Sequence, residues 1–179
     1  MKTIVLYSTK TGNTKMVAEA IAKALPDGTP CENVADIKAS LADYDLVFMG
    51  YWVDRGTADK ASRQILATLN NKYIALFATL GADPKSDHAK KCLENGALLL
   101  PQGKKPLGSF ICQGKIDPKL LEIMYKQFPA DNVHGKNPAS EARAKQASTH
   151  PDAQDLAEAA AFAQDVLAKA REMERREGE

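Results

Sequence analysis

The chain has 179 residues, of which 44% are hydrophobic and 26% are charged, a size and composition typical of one globular domain. Its 24 Lys and Arg residues balance 23 Asp and Glu residues, which gives a formal net charge of +1. A chain with no basic excess, and without aromatic side chains among its Lys and Arg runs, lacks the features of a nucleic-acid groove. We therefore expect no nucleic-acid partner.

The apolar stretches fall far short of the roughly 20 residues that cross a bilayer, so the sequence predicts no membrane partner. The first residues show no apolar signal segment and no small-residue cleavage site, so we expect a cytoplasmic location. The three cysteines are odd in number and show no Cys-x-x-Cys spacing. They indicate neither a disulfide framework nor a zinc site and are interpreted as small buried side chains.

Short apolar runs alternate with helical stretches in chain order, which is typical of a parallel sheet covered by helices on both faces. The apolar runs predict strands at residues 3–8, 29–36, 45–50, 72–79 and 107–113. Apolar residues at helical spacing predict helices at residues 12–25, 57–69, 86–96, 117–128 and 152–175. Asp117 and Asp152 are suitable caps for the last two helices.

Residues 129–151 interrupt this alternation. The segment holds three prolines and only one large aliphatic side chain, Val133, so it cannot build a core of its own. We predict a surface insertion with a helical turn around residues 141–147, placed before the C-terminal helix of a single domain that spans residues 1–179. A connection of this length is either functional or disordered, and both alternatives stay open.

The clearest chemical signal lies at residues 8–14, which join the first strand to the first helix. In an open parallel sheet, ligands bind beyond the carboxyl ends of the strands, where this loop lies. The loop carries four hydroxyl side chains, one amide and one glycine in seven residues. Free N–H groups at a helix N-terminus, together with hydroxyl donors, predict an anion site. The alternative is that Thr11 or Asn13 only caps the helix.

A strand that ends in Ser-x-x-Thr-Gly-Asn-Thr resembles the phosphate-binding fingerprint of the flavodoxin family, and the succession of strands resembles the flavodoxin fold. This resemblance implies an α/β fold, a flavodoxin-like three-layer α/β/α sandwich with a five-stranded parallel sheet of order 2-1-3-4-5. It also implies an FMN cofactor, with Lys10 adding charge compensation to the phosphate. The residues that the resemblance assigns to the phosphate are Ser8, Thr9, Thr11, Gly12, Asn13 and Thr14.

Residues 51–56 form the second predicted loop and contain the only tryptophan of the chain. In flavodoxins this loop supplies an aromatic ring that stacks on the isoalloxazine. The resemblance therefore implies Trp52 as the stacking residue and Tyr51 as the reserve, with Val53 and Asp54 beside the flavin. The alternative is a tryptophan packed in the core. Flavodoxins commonly carry glycine after the aromatic residue, where Val53 stands here, which leaves the choice between one-electron and two-electron behaviour open.

The third loop, predicted at residues 79–83, follows the fourth strand. The resemblance implies that its backbone binds the edge of the flavin ring, with Gly81 permitting a close approach. The residues assigned to this role are Thr79, Leu80, Gly81, Ala82 and Asp83. The loop holds no second aromatic residue, so the other flavin face is either open or covered by residues 129–151.

Three functions are compatible with these loops. The leading hypothesis is an FMN-binding electron carrier that shuttles reducing equivalents between a reductase and an acceptor enzyme. The alternative is an FMN-dependent NAD(P)H oxidoreductase of the quinone or flavin reductase type that acts on a small acceptor. The third is a flavin-free interaction domain. No nucleophile–base pair stands out, so we predict no catalytic residue and no metal ligand, and a monomer is the default.

Overall fold

The structure is a computed structural model that describes residues 1–38 and 40–178. The described residues form strands β1 (Thr3–Tyr7), β2 (Cys31–Asn33), β3 (Leu46–Asp54), β4 (Thr57–Ala58), β5 (Tyr73–Leu80) and β6 (Ser109–Gln113). They also form helices α1 (Asn13–Ala24), α2 (Lys60–Leu66), α3 (Asp87–Ala97), α4 (Pro118–Gln127), α5 (Pro138–Ala147) and α6 (Ala153–Glu177), and a 3-10 turn at Leu41–Asp43.

The parallel strands lie in the order β2-β1-β3-β5-β6, which confirms the predicted flavodoxin-like order. The short β4 lies outside this path and pairs antiparallel with the end of β3. The central strands are continuous apolar runs, which suit strands that are covered on both faces. Accordingly, all eight residues of β5 are buried.

Helices cover both faces of the sheet, as the alternation of strands and helices predicts. On one face, α1 and α6 pack on side chains that include Val5, Phe48 and Phe77. On the other face, α2 and α3 pack on side chains that include Leu6. A Cβ atom at Gly50 would lie 2.1 Å from the Phe77 ring, so only glycine leaves space for that ring. Among the helices described, none combines the length and the apolar character that crossing a membrane requires.

The predicted loop after the third strand is instead a β-hairpin. β3 continues to Asp54, and its end pairs with β4 through Val53 opposite Ala58. The turn residues Arg55 and Gly56 have φ angles of 51° and 81°, as a tight turn between twisted antiparallel strands requires. The strand β4 occupies the positions at which the sequence predicted the start of the second helix.

The region between β6 and α6, which we call the arm (residues 118–147), contains more helix than predicted. The helical turn predicted at residues 141–147 is a ten-residue helix, α5. A reciprocal capping box between Asn137 and Ser140 begins it. The predicted turn began three residues late, because the apolar residues of this helix are alanines, which form no helical stripe.

The arm makes few apolar contacts with the sheet region. None of the ten residues of α4 is buried, and Leu120, Ile123 and Phe128 are exposed. The N–H of Lys115 donates to the carbonyl of His150 over 2.8 Å. The chain therefore enters and leaves the arm at neighbouring points.

Candidate functional site

Loops meet at the carboxyl edge of the parallel strands, where the sequence placed the ligand site. The Asn13 amide donates to the Lys115 carbonyl over 2.9 Å, which joins the first loop to the loop after β6. The hydroxyl oxygens of Thr14 and Thr79 lie 2.9 Å apart and join α1 to β5. These contacts bring together the first loop, the end of β5 and the loop after β6, as expected for an open parallel sheet.

The N-terminus of α1 keeps its backbone donors free. Gly12 at the N-cap position has a φ of 91° and makes no side-chain cap, whereas the N-cap side chains of α2 to α6 all accept backbone N–H groups. Within the described part of the chain, no acceptor takes the N–H groups of Asn13, Thr14 and Lys15. A Cβ atom at Gly12 would meet nothing within 4 Å, so this position is open. The alternative that Thr11 or Asn13 caps the helix is therefore wrong.

Two of the four hydroxyls in the first loop are engaged inside the protein. The Ser8 hydroxyl donates to Asp59 over 2.9 Å. The Thr14 side chain is fully buried, and its hydroxyl pairs with that of Thr79. The resemblance assigned both hydroxyls to the phosphate, but their partners are other side chains of the protein.

The other two hydroxyls keep a free proton. Thr9 accepts the N–H of Gly12 over 3.0 Å, and Thr11 accepts the side-chain N–H of Asn13 over 3.1 Å. A hydroxyl that accepts one hydrogen bond can still donate another. Thr9 and Thr11 are therefore the hydroxyl donors that this loop offers to an anion.

Trp52 lies on the extended part of β3 rather than in a loop. The residue is half-buried and pairs with Thr79 across the sheet. The Lys10 ammonium lies 5.4 Å from the centroid of the indole ring, within the range of a cation–π contact. The ring therefore lies beside the first loop, and the alternative of a tryptophan buried in the core is wrong.

Tyr51, the predicted reserve for stacking, lies on the opposite face. It is fully buried, and its hydroxyl donates to the Cys92 carbonyl over 3.2 Å. Gly96 makes room for this hydroxyl, since a Cβ atom there would lie 2.2 Å from it. Successive strand residues alternate between the two faces, so Tyr51 and Trp52 cannot both face the first loop. The prediction for Tyr51 is wrong.

Val53 and Asp54, which were expected beside the flavin, belong to the hairpin. Both pair with β4. The Asp54 carboxylate also lies 3.9 Å from the Arg63 guanidinium. These contacts within the protein explain the positions of Val53 and Asp54, and no contact with a flavin is needed to explain them.

The third loop is shorter than predicted, because Thr79 and Leu80 belong to β5 and are buried. The open part of the loop begins at Gly81. A Cβ atom at Gly81 would lie 2.5 Å from the Ile116 side chain, so this loop packs against the loop after β6. Its accessible residues are the half-buried Ala82 and the exposed Asp83.

Asp59 is a site residue that sequence reasoning missed. Its side chain accepts the N–H groups of Ala61 and Ser62 and thereby caps α2. It also accepts the hydroxyls of Ser8 and Ser62. An aspartate before a helical apolar pattern is a signal for a cap, which the sequence did contain. The contact with Ser8 was not readable, because 51 positions separate the two residues.

Comparison with known proteins identifies the family. The family model described as the flavodoxin domain matches residues 4–164. The chain belongs to the flavodoxin family. This flavodoxin is 39% identical over 176 residues to the flavodoxin-like domain-containing protein BilS of Clostridioides difficile (strain CD3), covering 95% of this chain and 98% of the relative.

Solved structures share the fold of this flavodoxin. The crystal structure of a WrbA-like flavodoxin from Agrobacterium tumefaciens matches with a TM-score of 0.56 and 15% identity, over 95% of this chain and 97% of the other. A flavoprotein from Lactobacillus acidophilus NCFM, solved in complex with FMN, matches with a TM-score of 0.50 and 18% identity, over 62% of this chain and 92% of the other.

The thiols of this flavodoxin are poor nucleophiles. Burial raises the pKa values of Cys92 and Cys112. Burial, and to a smaller extent the nearby Glu19 carboxylate, raises the pKa of Cys31 to about 11. The Cys92 sulfur lies 3.6 Å from the His88 ring nitrogen. A thiol with a raised pKa is nevertheless protonated at neutral pH and unreactive.

A second polar cluster of this flavodoxin is explained by helix capping. His150, Asp152 and Asp155 place their polar atoms within 4.8 Å of one another. The Asp152 carboxylate accepts hydrogen bonds from the N–H groups of Asp155 and Gln154 at the start of α6. Both bonds lower the pKa of Asp152, and the bond from Asp155 has the larger effect. Asp155 contacts the His150 ring nitrogen over 2.5 Å. The three side chains therefore already have partners that account for their positions.

Proposed function

We propose that this flavodoxin binds FMN at the carboxyl edge of its sheet and shuttles reducing equivalents between redox partner proteins, a reductase and an acceptor enzyme. The observation that carries the proposal is the uncapped N-terminus of α1 beside the half-buried Trp52. Free N–H groups and the partial positive charge of a helix N-terminus favour a phosphate. A flat aromatic ring favours a flavin ring. FMN carries both groups.

The donors of the first loop fit the FMN phosphate. They are the N–H groups of Asn13, Thr14 and Lys15 and the hydroxyls of Thr9 and Thr11. The flavoprotein from Lactobacillus acidophilus NCFM, which contains FMN, shares the fold. When bound, FMN supplies reversible electron and hydride transfer.

The other residues of the edge hold the ring rather than react with it. The Trp52 ring supplies an apolar face that excludes water. The Lys10 ammonium lies over that ring, so it would have to move if FMN were held against the same face. Gly81, which is half-buried, is the first residue of the third loop beyond β5. Because the three cysteines are protonated at neutral pH, they offer no nucleophile of their own.

The phosphate assignment is tested by comparing FMN with riboflavin, which lacks the phosphate. Both ligands are titrated into the wild-type protein and followed by quenching of flavin fluorescence. We expect FMN to bind at least about tenfold more tightly, since several charge-assisted hydrogen bonds depend on the phosphate. Equal affinities would contradict the assignment to α1.

The ring assignment is tested at Trp52. Trp52→Ala is expected to weaken FMN and riboflavin alike, because both ligands contain the ring. Trp52→Phe is the matched control, which keeps a flat aromatic face and should retain most of the affinity. If Trp52→Ala leaves the affinity and the visible flavin spectrum unchanged, the ring binds elsewhere.

An FMN-dependent NAD(P)H oxidoreductase is the second candidate function. It is supported by the third loop, whose accessible residues include no aromatic ring and would leave one flavin face open to a hydride donor. Steady oxidation of NAD(P)H by the pure FMN-loaded protein with a quinone acceptor would favour the enzyme. Reduction only through an added flavoprotein reductase, with reoxidation by an acceptor protein, would favour the carrier.

A further inference from the structure

Asp59 is a buried carboxylate without a cationic partner. The residue is 2% exposed, and within residues 1–38 and 40–178 it takes part in no ion pair. Four donors converge on its two oxygens: the hydroxyls of Ser8 and Ser62 and the N–H groups of Ala61 and Ser62. An ionised carboxylate is an acceptor only, so this set of donors fits the charged form. The charge is hydrogen-bonded but not neutralised.

The position of Asp59 links the two elements that the proposed FMN site uses. Asp59 directly follows Ala58, which pairs with Val53 in the hairpin, and Val53 directly follows Trp52 in β3. Its Oδ1 atom lies 2.9 Å from the Ser8 hydroxyl, at the start of the first loop. The inference therefore rests on the proposed function, which assigns the ring to Trp52 and the phosphate to this loop.

We infer that the charge of Asp59 weakens the binding of the FMN phosphate and lowers the reduction potential of the bound flavin. Capping of α2 does not require the charge, because asparagine caps helices as well as aspartate. A carboxylate removed from water repels further negative charge in its neighbourhood more strongly than an exposed one. The phosphate is such a charge, and reduction places electrons on the ring. Asp59 thus influences the choice between FMN and riboflavin.

The substitution Asp59→Asn removes the charge and keeps the contacts. The amide oxygen can accept from Ser8, Ala61 and Ser62, while the amide nitrogen donates to the Ser62 hydroxyl after that hydroxyl rotates. We expect the Kd for FMN to fall about tenfold, which corresponds to about 1.4 kcal/mol. The Kd for riboflavin should change by less than about twofold, because this ligand is uncharged. The midpoint potential of bound FMN should become more positive.

Asp45→Asn is the matched control. Asp45 precedes β3 at the opposite edge of the sheet, where its carboxylate accepts the N–H of Lys2. The Asp45→Asn variant loses the same charge far from the loops. Its Kd for FMN and the midpoint potential of bound FMN should therefore stay at the wild-type values. Thermal unfolding checks that each variant is folded. Should Asp59→Asn fail to fold, Asp59→Ser retains a capping side chain without the charge and serves in its place.

The outcomes separate this inference from the proposal on which it rests. If the wild-type protein binds no FMN, the proposed function is overturned and the inference with it. If the wild-type protein binds FMN, but Asp59→Asn leaves both affinity and potential unchanged, the inference alone is overturned. It is also overturned if FMN and riboflavin weaken equally, because Asp59 then acts only as a helix cap. Tighter FMN binding with a raised potential supports it.

Discussion

The sheet region and the arm are stabilised in different ways. In the sheet region, all eight residues of β5 are buried, and an apolar cluster covers each face of the sheet. In the arm, no residue of α4 is buried, and the buried residues of α5 are Ser140 and Ala147. Apolar burial therefore stabilises the first region, whereas the second depends on caps and on hydrogen bonds from side chains to the backbone.

The hydrogen bonds of the arm are local. The Ser140 hydroxyl donates to the Gly135 carbonyl over 2.7 Å, and the Asn137 side chain donates to the Ala130 carbonyl over 2.8 Å. A hydrogen bond of this kind contributes about 1 kcal/mol net. Because neither bond involves the sheet, we expect the arm to open while the sheet region stays folded, as a separate unit of local stability.

The largest effect is expected in the sheet region. Ile74 in β5 is 2% exposed, so Ile74→Ala removes buried methyl and methylene groups and leaves a cavity. We expect the free energy of unfolding to fall by about 2–5 kcal/mol. Urea unfolding followed by far-UV circular dichroism measures this change. A loss below about 1 kcal/mol would show that burial is not the main support of this region.

A smaller and local effect is expected in the arm. Ser140→Ala deletes a buried hydroxyl that bonds the Gly135 carbonyl and the Asn137 N–H, at a cost of about 1–2 kcal/mol. Hydrogen exchange by mass spectrometry should show faster exchange in the arm and unchanged exchange in β5. Ser148→Ala is the control, since this exposed hydroxyl donates to the Lys145 carbonyl within the same turn of chain. Faster exchange throughout the sheet would mean that the two regions are coupled.

Alkaline pH is expected to weaken the sheet region, which contains all three thiols. Burial raises the pKa of Cys31 from 9.0 to about 11. Between these two pH values the Cys31 thiol stays protonated in the folded chain and is deprotonated in the unfolded chain. This contribution is complete below about pH 9 and is lost as the pH rises toward 11. We expect a decrease of about 1 kcal/mol after solvent screening. Unfolding in urea at pH 8 and 10 measures it, and Cys31→Ala should reduce the decrease.

The smallest effect is expected on α4. Ile123→Ala is the same chemical change as Ile74→Ala, but Ile123 is 49% exposed. The free energy of unfolding should change by less than about 0.5 kcal/mol. The same urea assay applies to both variants. A loss comparable to that of Ile74→Ala would show that another surface covers α4 in solution.

Much of the fold was predictable from the sequence, because local patterns determine it. The apolar runs in β1 and β5 identified central strands, and Asp117 and Asp152 identified two helix starts that the structure confirms. The end of β3 was not predictable in this way. The apolar run through Trp52 is compatible with a strand or a loop, and the pairing with β4 decides between them.

The position of the candidate site in the fold was predictable, whereas the contacts of its side chains were not. The first loop and Trp52 lie at the expected edge of the sheet. The sequence does not show which hydroxyls of the first loop form hydrogen bonds inside the protein. Ser8 contacts Asp59 and Thr14 contacts Thr79, and both partners are distant in the sequence. The orientation of Tyr51 likewise depends on space that Gly96 leaves in α3. A pattern of residue types does not encode such distant partners.

The hydrogen bond between the Lys115 N–H and the His150 carbonyl has a consequence for how this chain tolerates changes in length. Residues 116–149 lie between these two bonded residues, so the ends of this segment are already close together. A short linker in its place would therefore cost little loop-closure entropy. Such a deletion would leave the order and register of the strands intact. We therefore expect this segment to tolerate the insertion or deletion of residues without a change in the sheet.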